Sequence, residues 1–187
     1  MYAAIDIGSN AVRLAILQSK SVESTVIRFP IRLGEDCFTK GKISDKNIKR
    51  LTQALKSFHR ILDDNGVQQC RAVATSALRE AENADKVISE VKKKSGIEIE
   101  LINGIAEAQL IQKAAQHELG LDNKPHLIMD IGGGSVEFIA ALNGKIKHVQ
   151  SLKIGTVRLL TYLQKKQNKD PFQAILKFCH KQMDCLV

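Results

Sequence analysis

The sequence predicts an α/β protein of two related lobes with mixed sheets, the first at residues 1–124 and the second at 125–187. Short apolar runs rich in β-branched residues alternate with helical patterns through the first lobe. A new series of strands starts after residue 125. An Asp-Ile-Gly sequence ends a predicted strand in each lobe, at residues 6–8 and 130–132. This repetition indicates two lobes that face each other and are joined near residue 124.

The first lobe is predicted to start with a hairpin. Tyr2–Ile7 and Val12–Leu17 are apolar runs separated by Gly8-Ser9-Asn10, and residues 22–29 are predicted to form a third strand. Residues 30–41 contain proline and glycines, so a loop is expected there.

Helices and strands are predicted to alternate after this loop. Ser44 is a predicted N-cap, and apolar residues then recur every three or four positions up to Gly66, which indicates a helix. The other elements predicted for the first lobe are the strand Cys70–Ala74, the helix Ala77–Lys94, the strand Ile97–Ile102 and the helix Glu107–Leu119, which Gly120 closes. Those predicted for the second lobe are the strands Leu127–Ile131, Val136–Leu142 and Lys145–Ser151, a turn at Asn143-Gly144, and the helices Thr156–Gln167 and Pro171–Met183.

The composition, 44% apolar and 26% charged, is typical of a soluble globular protein. No apolar run reaches the roughly 18 residues that a membrane helix needs. Asp6 lies where a signal peptide needs an apolar stretch, so a cytoplasmic protein without a membrane partner is expected. The four cysteines have no zinc-ligand spacing, and reduced thiols are expected.

A formal charge of +8 favours polyanionic partners. Basic residues cluster at Lys40, Lys42, Lys46, Lys49, Arg50, Lys56 and Arg60. Nucleic-acid binding is one interpretation of this cluster, and a solvated helix face is the other. With two Tyr, no Trp and no stacking motif, the sequence predicts no specific nucleic-acid partner.

The two glycine turns are candidate phosphate sites. Glycine allows backbone N–H groups to approach phosphate oxygens, and the residues that would do so are Gly8, Ser9, Asn10, Gly132, Gly133, Gly134 and Ser135. Acids at strand ends can hold Mg²⁺, which prefers one or two carboxylates plus water and phosphate, and the candidates are Asp6, Asp130 and Glu137. Either turn alone could be an ordinary hairpin, but two in one chain indicate a phosphate held between lobes.

Hydrolysis of a phosphoanhydride needs a base for the attacking water and cations for the developing charge. Glu107 is the candidate base, because it follows the Asn103-Gly104 turn at the start of a helix, although it could be an ordinary first-turn acid. The candidate cations lie beside predicted turns and are Arg13, Arg32 and Arg79, each of which could instead be a surface arginine. Thr75 and Ser76 are either helix caps or phosphate donors.

Six stretches in order resemble the exopolyphosphatase and guanosine pentaphosphate phosphohydrolase family. They are DIGSNAVRL at 6–14, RLGED at 32–36, AVATSALREAEN at 72–83, NGIAEAQLI at 103–111, DIGGGSVEF at 130–138 and, less sharply, SLKIGTVRL at 151–159. Together they span nearly the whole chain.

The resemblance implies the actin-like ATPase (ribonuclease H-like) fold, with a catalytic cleft between two lobes, and a Mg²⁺-dependent phosphohydrolase. It places Glu107 at the family's water-activating glutamate and Asp130 and Glu137 at acids of the metal and phosphate site. It places Arg13 and Arg79 at cleft arginines. Family cores are longer than this chain, so the second lobe is expected to be incomplete, with exposed apolar surface, open strand edges and association into homodimers.

Two departures from the family pattern stand out. At residues 105–109 the chain has one acid and no arginine, where the family has consecutive acids followed by Ala-Arg. Asp36 stands where the family often has glycine. A truncated, catalytically weak protein that binds polyphosphate or alarmone is therefore the alternative to an active phosphatase. The choice between polyphosphate and guanosine pentaphosphate stays open, and an ATP-dependent kinase of the same fold is disfavoured by residues 75–81.

Overall fold

The computed structural model describes residues 1–17, 24–166 and 170–183. The chain divides into two compact units, Met1–Ile102 and Asn103–Val187. The lobe boundary expected near residue 124 therefore lies inside the second unit, because the helix before it packs on the strands after it. As a boundary between lobes of a longer fold, it stays a prediction.

A five-stranded mixed sheet forms the centre of unit 1. Its strand order is β3-β2-β1-β4-β5. Because β2 is antiparallel to β1 and β3, while β4 and β5 follow β1 in parallel, four strands end at one side of the sheet, here called the carboxyl edge. The strands are β1 (Tyr2–Ile7), β2 (Val12–Leu17), β3 (Ser24–Phe29), β4 (Gln69–Ala74) and β5 (Ile99–Leu101).

Helices cover one face of this sheet. They are α1 (Leu33–Lys40), α2 (Asp45–Asp64), α3 (Ser76–Arg79) and α4 (Ala84–Ser95). Alternate residues of β1 and β2, such as Ile5 and Leu14, are fully buried against the apolar stripe of α2, which includes Phe58. The predicted N-cap is confirmed, since the Ser44 hydroxyl accepts a hydrogen bond from the backbone N–H of Asn47. Residues 22 and 23 of the predicted third strand lie outside the described residues.

The loop predicted for residues 30–41 is wrong, because most of it is helix α1. Two acids in its first turn, Glu35 and Asp36, favour a helix start. Gly41 ends the helix in the left-handed conformation, with φ of 75°, and donates its N–H to the Cys37 carbonyl. The glycines that indicated a loop therefore act at the two ends of a short helix.

The single helix predicted over residues 77–94 is also wrong, because the chain breaks it into α3 and α4. The Asn83 side chain accepts from the Ile43 N–H and donates to the Ile43 carbonyl, at 2.9 and 2.8 Å. The N–H of Glu82 donates to the Gly41 carbonyl. These contacts across the fold replace helical hydrogen bonds that the local sequence would support.

Unit 2 is built on an antiparallel sheet of order β6-β7-β8 in the part that the structure describes. Helix α5 packs on it, with Ala108 fully buried and Gln112 bonded to the Gly144 carbonyl in the β7–β8 turn. The elements are α5 (Gly104–Leu119), β6 (His126–Ile131), β7 (Val136–Leu142), β8 (Lys145–Leu152), α6 (Thr156–Lys166) and α7 (Pro171–Met183). Helix α5 starts three residues before the predicted Glu107, and Gln167 lies outside the described residues.

Strand β6 exposes three apolar side chains, Leu127, Met129 and Ile131, each more than half accessible. It is an edge strand of the described sheet. The expected exposed apolar surface is therefore present, while homodimer formation stays a prediction. Within the described residues, no helix combines the length and apolarity needed to cross a bilayer.

Candidate functional site

The first glycine turn joins β1 to β2 at the carboxyl edge. The N–H of Gly8 donates to the Ala11 carbonyl at 3.0 Å, and a Cβ on Gly8 would lie 3.2 Å from that oxygen. Ser9 is buried, and its hydroxyl lies 2.8 Å from that of Ser76. The turn is thus fixed to the end of β4, and the Ser76 hydroxyl is engaged inside the protein.

The start of α1 packs directly on this turn. The N–H of Gly34 donates to the Ser9 carbonyl at 2.8 Å, and that of Arg32 donates to the Asn10 carbonyl at 2.9 Å. A Cβ on Gly34 would lie 3.1 Å from the Ser9 oxygen, so glycine permits this approach. Arg32 has φ of 60°, and its exposed guanidinium pairs with Glu35 at 3.1 Å. The structure therefore brings Arg32 beside the turn.

Thr75, Ser76 and Arg79 follow β4 at the same edge. Thr75 occupies the N-cap position of α3, but its side chain makes no capping hydrogen bond. The Arg79 guanidinium donates to the Ile102 carbonyl at 2.6 Å, directly after β5. The predicted unit 1 residues thus gather at one edge, as expected for a sheet whose ligands lie beyond its carboxyl ends.

Asp6 and Arg13 are cross-strand partners on the face of the sheet that the helices leave open. Their side chains form an ion pair of 2.9 Å, with each nearly half exposed. The sequence assigns Asp6 to a metal and Arg13 to phosphate, whereas the structure pairs the two.

The second glycine turn joins β6 to β7 and repeats the closure of the first. The N–H of Gly132 donates to the Ser135 carbonyl at 3.0 Å. The start of α6 donates to the turn, with Thr156 N–H to Gly132 at 3.0 Å and Val157 N–H to Gly133 at 2.8 Å. Ser135 is buried. The first amides of α6 are therefore used inside unit 2.

The sequence did not single out two residues that contact this turn, Gly155 and Arg158. A Cβ on Gly155 would lie 2.5 Å from the carbonyl carbon of Gly133 and closer still to Gly134, so the residue must be glycine. The Arg158 guanidinium donates to the Gly134 carbonyl at 2.8 Å. The SLKIGTVRL stretch contains both, but its contact with the glycine turn depends on the fold of unit 2.

An acidic pair lies beside this turn. Asp130 and Glu137 are cross-strand partners, Asp130 exposed and Glu137 only 1% exposed. The Ser151 hydroxyl donates to Oε1 of Glu137 at 2.7 Å, and Oε2 is buried with no hydrogen-bond partner among the described residues. A buried carboxylate oxygen of this kind needs a cation, a proton or water.

Glu107 lies in the first turn of α5, which Asn103 caps by accepting from the Ala106 N–H at 2.9 Å. A Cβ on Gly104 would lie 3.3 Å from that of Ser151, the residue bonded to Glu137. Positions three apart share a helix face, so Glu107 is on the side of α5 that carries Gly104. The candidate base and the acidic pair therefore belong to the same part of unit 2.

The described residues contain no group of three or more acids, histidines or cysteines able to hold a metal ion. Asp6 belongs to unit 1, and Asp130 and Glu137 belong to unit 2. A metal site shared by all three acids stays a prediction, as do the roles of the other site residues.

Comparisons with known proteins include several members of one family. Exopolyphosphatase 1 of Mycobacterium tuberculosis is 31% identical over 159 residues, which cover 83% of this chain and 46% of the relative. An exopolyphosphatase structure from Cytophaga hutchinsonii matches with TM-score 0.78 and 35% identity, over 85% of this chain and 52% of that one. A Ppx/GppA structure from Aquifex aeolicus matches with TM-score 0.75 and 31% identity, over 94% and 57%.

These matches establish the actin-like ATPase fold for a chain that spans about half the length of the curated relatives it matches. The model of the Ppx/GppA phosphatase family matches residues 18–184. That range includes the second glycine turn, Glu107 and the acidic pair, so the chain belongs to the Ppx/GppA phosphatase family.

Proposed function

We propose that this chain carries the catalytic residues of a Mg²⁺-dependent phosphohydrolase that releases terminal phosphate from inorganic polyphosphate or guanosine pentaphosphate. The observation that carries the proposal is the buried Glu137 carboxylate, which has an unpartnered oxygen beside Asp130. The relatives from Mycobacterium tuberculosis and Cytophaga hutchinsonii are exopolyphosphatases, which supports the same chemistry here.

The acidic pair fits Mg²⁺, a hard cation that takes one or two carboxylates together with water and phosphate oxygens. Asp130 and Glu137 would hold it, since both lie on the α5 face of the sheet and Glu137 has an oxygen to offer. When bound, the cation supplies positive charge that neutralises phosphoryl oxygens.

The two turns supply donors for phosphate oxygens. None of the hydrogen bonds between described residues uses the backbone N–H of Ser9, Asn10, Gly133 or Gly134. Free N–H groups in glycine turns form anion-binding concavities. Arg13 and Arg32, each paired with an acid, provide further N–H donors beside the first turn.

Glu107 is the proposed general base, which takes a proton from the attacking water through its carboxylate. Its place in the first turn of α5 stabilises the negative charge. The replacement Glu107→Gln should reduce phosphate release about 100-fold or more, the usual contribution of a general base. Polyphosphate affinity should stay within about threefold, because the side-chain shape is kept.

Glu118→Gln is the matched control, an exposed acid at the other end of the same helix. It should release phosphate at the parental rate. Equal rates for the parent and Glu107→Gln would remove Glu107 from the role of base.

A protein that binds without hydrolysis is the second candidate, favoured by Ala106 and the exposed Gln109 where the family has charged residues. Phosphate release and binding measured on both substrates, across a Mg²⁺ titration, separate the two. Tight binding by the parent chain with no release at any Mg²⁺ concentration would establish the second.

A further inference from the structure

Helix α2 carries a stripe of exposed basic side chains along its outer face. The members of this α2 stripe share one face of the helix and are Lys46, Lys49, Arg50, Lys56 and Arg60. At 3.6 residues per turn the five positions fall within about one third of the helix circumference, so they form one row, with the uncharged Gln53 between its two halves. From Lys46 to Arg60 the helix rises by 14 residue steps, which corresponds to about 21 Å at 1.5 Å per residue.

Little negative charge compensates the α2 stripe. Three members of the stripe form no ion pair with any described residue, and they are Lys46, Lys56 and Arg60. The pKa of Glu90 is lowered chiefly by a hydrogen bond from Lys94, and Lys49 contributes to this by its charge. Asp64 follows Arg60 by one turn, where the stripe ends.

The start of the stripe is tied to the carboxyl edge. The Arg50 guanidinium donates to the carbonyls of Pro30 and Ile31, at 2.8 and 3.3 Å, directly before Arg32. A cavity of about 210 Å³ lies between this segment and α2, and Gln53 and Ser57 line it beside Arg50. Phe29, Pro30, Ile31 and Ala54 complete the lining, so a concave surface of mixed polarity joins the segment before Arg32 to the stripe.

We propose that the α2 stripe binds the distal part of a linear polyphosphate whose terminal residues lie at the carboxyl edge. The inference rests on the proposed function and narrows its substrate to long polyphosphate. A linear polyphosphate carries negative charge at every residue, so one chain matches a row of cations at several points. The phosphates of guanosine pentaphosphate are too few to reach along the whole row.

The stripe is better suited to an inorganic polyanion than to nucleic acid. Binding of single-stranded nucleic acid combines basic residues with exposed aromatic rings on which bases stack. Phe58, the aromatic residue of α2, is fully buried in the core. Lysines on flexible stems favour a substrate that is recognised by charge alone and that can move along the surface.

The test measures the dissociation constants of the parent 187-residue chain and of two variants for long-chain polyphosphate and for tripolyphosphate. The stripe variant combines Lys46→Gln, Lys49→Gln, Lys56→Gln and Arg60→Gln. The control variant removes the same charge from α4 of unit 1, with Lys86→Gln, Lys92→Gln, Lys93→Gln and Lys94→Gln. All eight side chains are exposed, so both variants should fold.

The stripe variant should bind long polyphosphate about tenfold or more weakly, with a shallower salt dependence because fewer counterions are released. Its affinity for tripolyphosphate should be unchanged within about threefold, and the control should change by less than about threefold for both ligands. If the parent chain releases no phosphate but the stripe variant still loses affinity for long polyphosphate only, the proposed function is wrong and the proposed role of the stripe is supported. Three results would overturn the inference: parental affinity in the stripe variant, equal weakening in the control, or tighter binding of the parent to single-stranded nucleic acid than to polyphosphate of matched charge.

Discussion

The two glycine turns have the same backbone closure but different charged neighbours. In each, the first glycine donates its N–H to the carbonyl three residues on, at 3.0 Å for both Gly8 and Gly132. A Cβ would meet that carbonyl at 3.2 Å in the first turn and 3.1 Å in the second. The repeated Asp-Ile-Gly sequence is therefore a repeated structure.

The similarity extends beyond the turns to the helix after the third strand of each unit. The start of α1 donates to the first turn through Gly34, and α6 donates to the second turn directly after Gly155. A glycine at both positions lets a helix start touch the backbone of a turn. Each unit thus has the same order: hairpin, third strand, glycine, helix.

The difference lies opposite the aspartate of each turn. Asp6 faces Arg13 and forms an exposed ion pair, whereas Asp130 faces Glu137, whose carboxylate is buried. The first turn therefore has its acid neutralised, and the second has two acids side by side. The same backbone turn thus lies beside an acid–arginine pair in unit 1 and beside a pair of acids in unit 2.

The largest expected effect tests the shared backbone. Gly155→Ala should destabilise unit 2 by more than ~3 kcal/mol, because the new methyl group would overlap backbone that cannot move aside. Gly34→Ala should cost about 1–3 kcal/mol in unit 1, because its nearest neighbour, at 2.8 Å, is the Phe38 ring, which can rotate. Urea unfolding followed by hydrogen exchange of peptides from β1–β2 and β7–β8 measures each effect in its own unit. A smaller loss for Gly155→Ala than for Gly34→Ala would break the comparison.

The features that the sequence could predict are those that depend on residues close together in the chain. The turns at Gly8 and Gly132 were predicted because a hairpin turn is encoded by a few adjacent residues. The need for glycine at position 155 could not be predicted, because it arises from backbone 21 residues away, at Gly134. The internal repeat was the available indication, since Leu33-Gly34 and Ile154-Gly155 occupy matching places after the third strands.

Tertiary contacts also explain the errors in the helices. Asn83 leaves the helical pattern because Ile43 offers both of its backbone groups to the amide side chain. Helix α1 forms across a segment rich in turn residues because Leu33 and Cys37 bury their side chains in the core. The burial of Glu137 could not be predicted from the sequence either, because it depends on how α5 packs over the sheet.

The second prediction tests the electrostatic contrast. Glu137→Gln should weaken Mg²⁺ binding about 10- to 100-fold, because it removes a charge next to Asp130. Asp6→Asn should change Mg²⁺ affinity by less than about threefold, because the Arg13 guanidinium already neutralises that carboxylate. Isothermal titration of the parent and both variants with MgCl₂ measures this directly. An equal loss in Asp6→Asn would establish Asp6 as a metal ligand, as the sequence predicts, and would end the contrast.

The smallest expected effect concerns Asp36, whose carboxylate accepts hydrogen bonds from Ser44 and Asn47 and so connects α1 to the start of α2. Asp36 lies two residues after Gly34. The matching position in unit 2, two residues after Gly155, is Val157. Burial alone would raise the pKa of Asp36, but hydrogen bonds from Ser44 and Asn47 and the charge of Lys40 outweigh it and lower the pKa below its ordinary 3.8. The contribution to stability is therefore complete above 3.8 and is lost as pH falls through the lower value of the folded state.

Asp36→Asn should consequently destabilise the chain by about 1 kcal/mol at neutral pH, the typical value of a helix-start hydrogen-bond acceptor. The difference in stability between the variant and the parent should shrink as the pH falls below the ordinary pKa of 3.8, because protonation of Asp36 then removes the charge from the parent as well. Asp64→Asn, at the exposed C-terminal end of α2, is the control and should stay within about 0.5 kcal/mol of the parent. Urea unfolding at a series of pH values measures all three chains, and a loss in Asp36→Asn that persists unchanged into acid would mean that shape rather than charge joins α1 to α2.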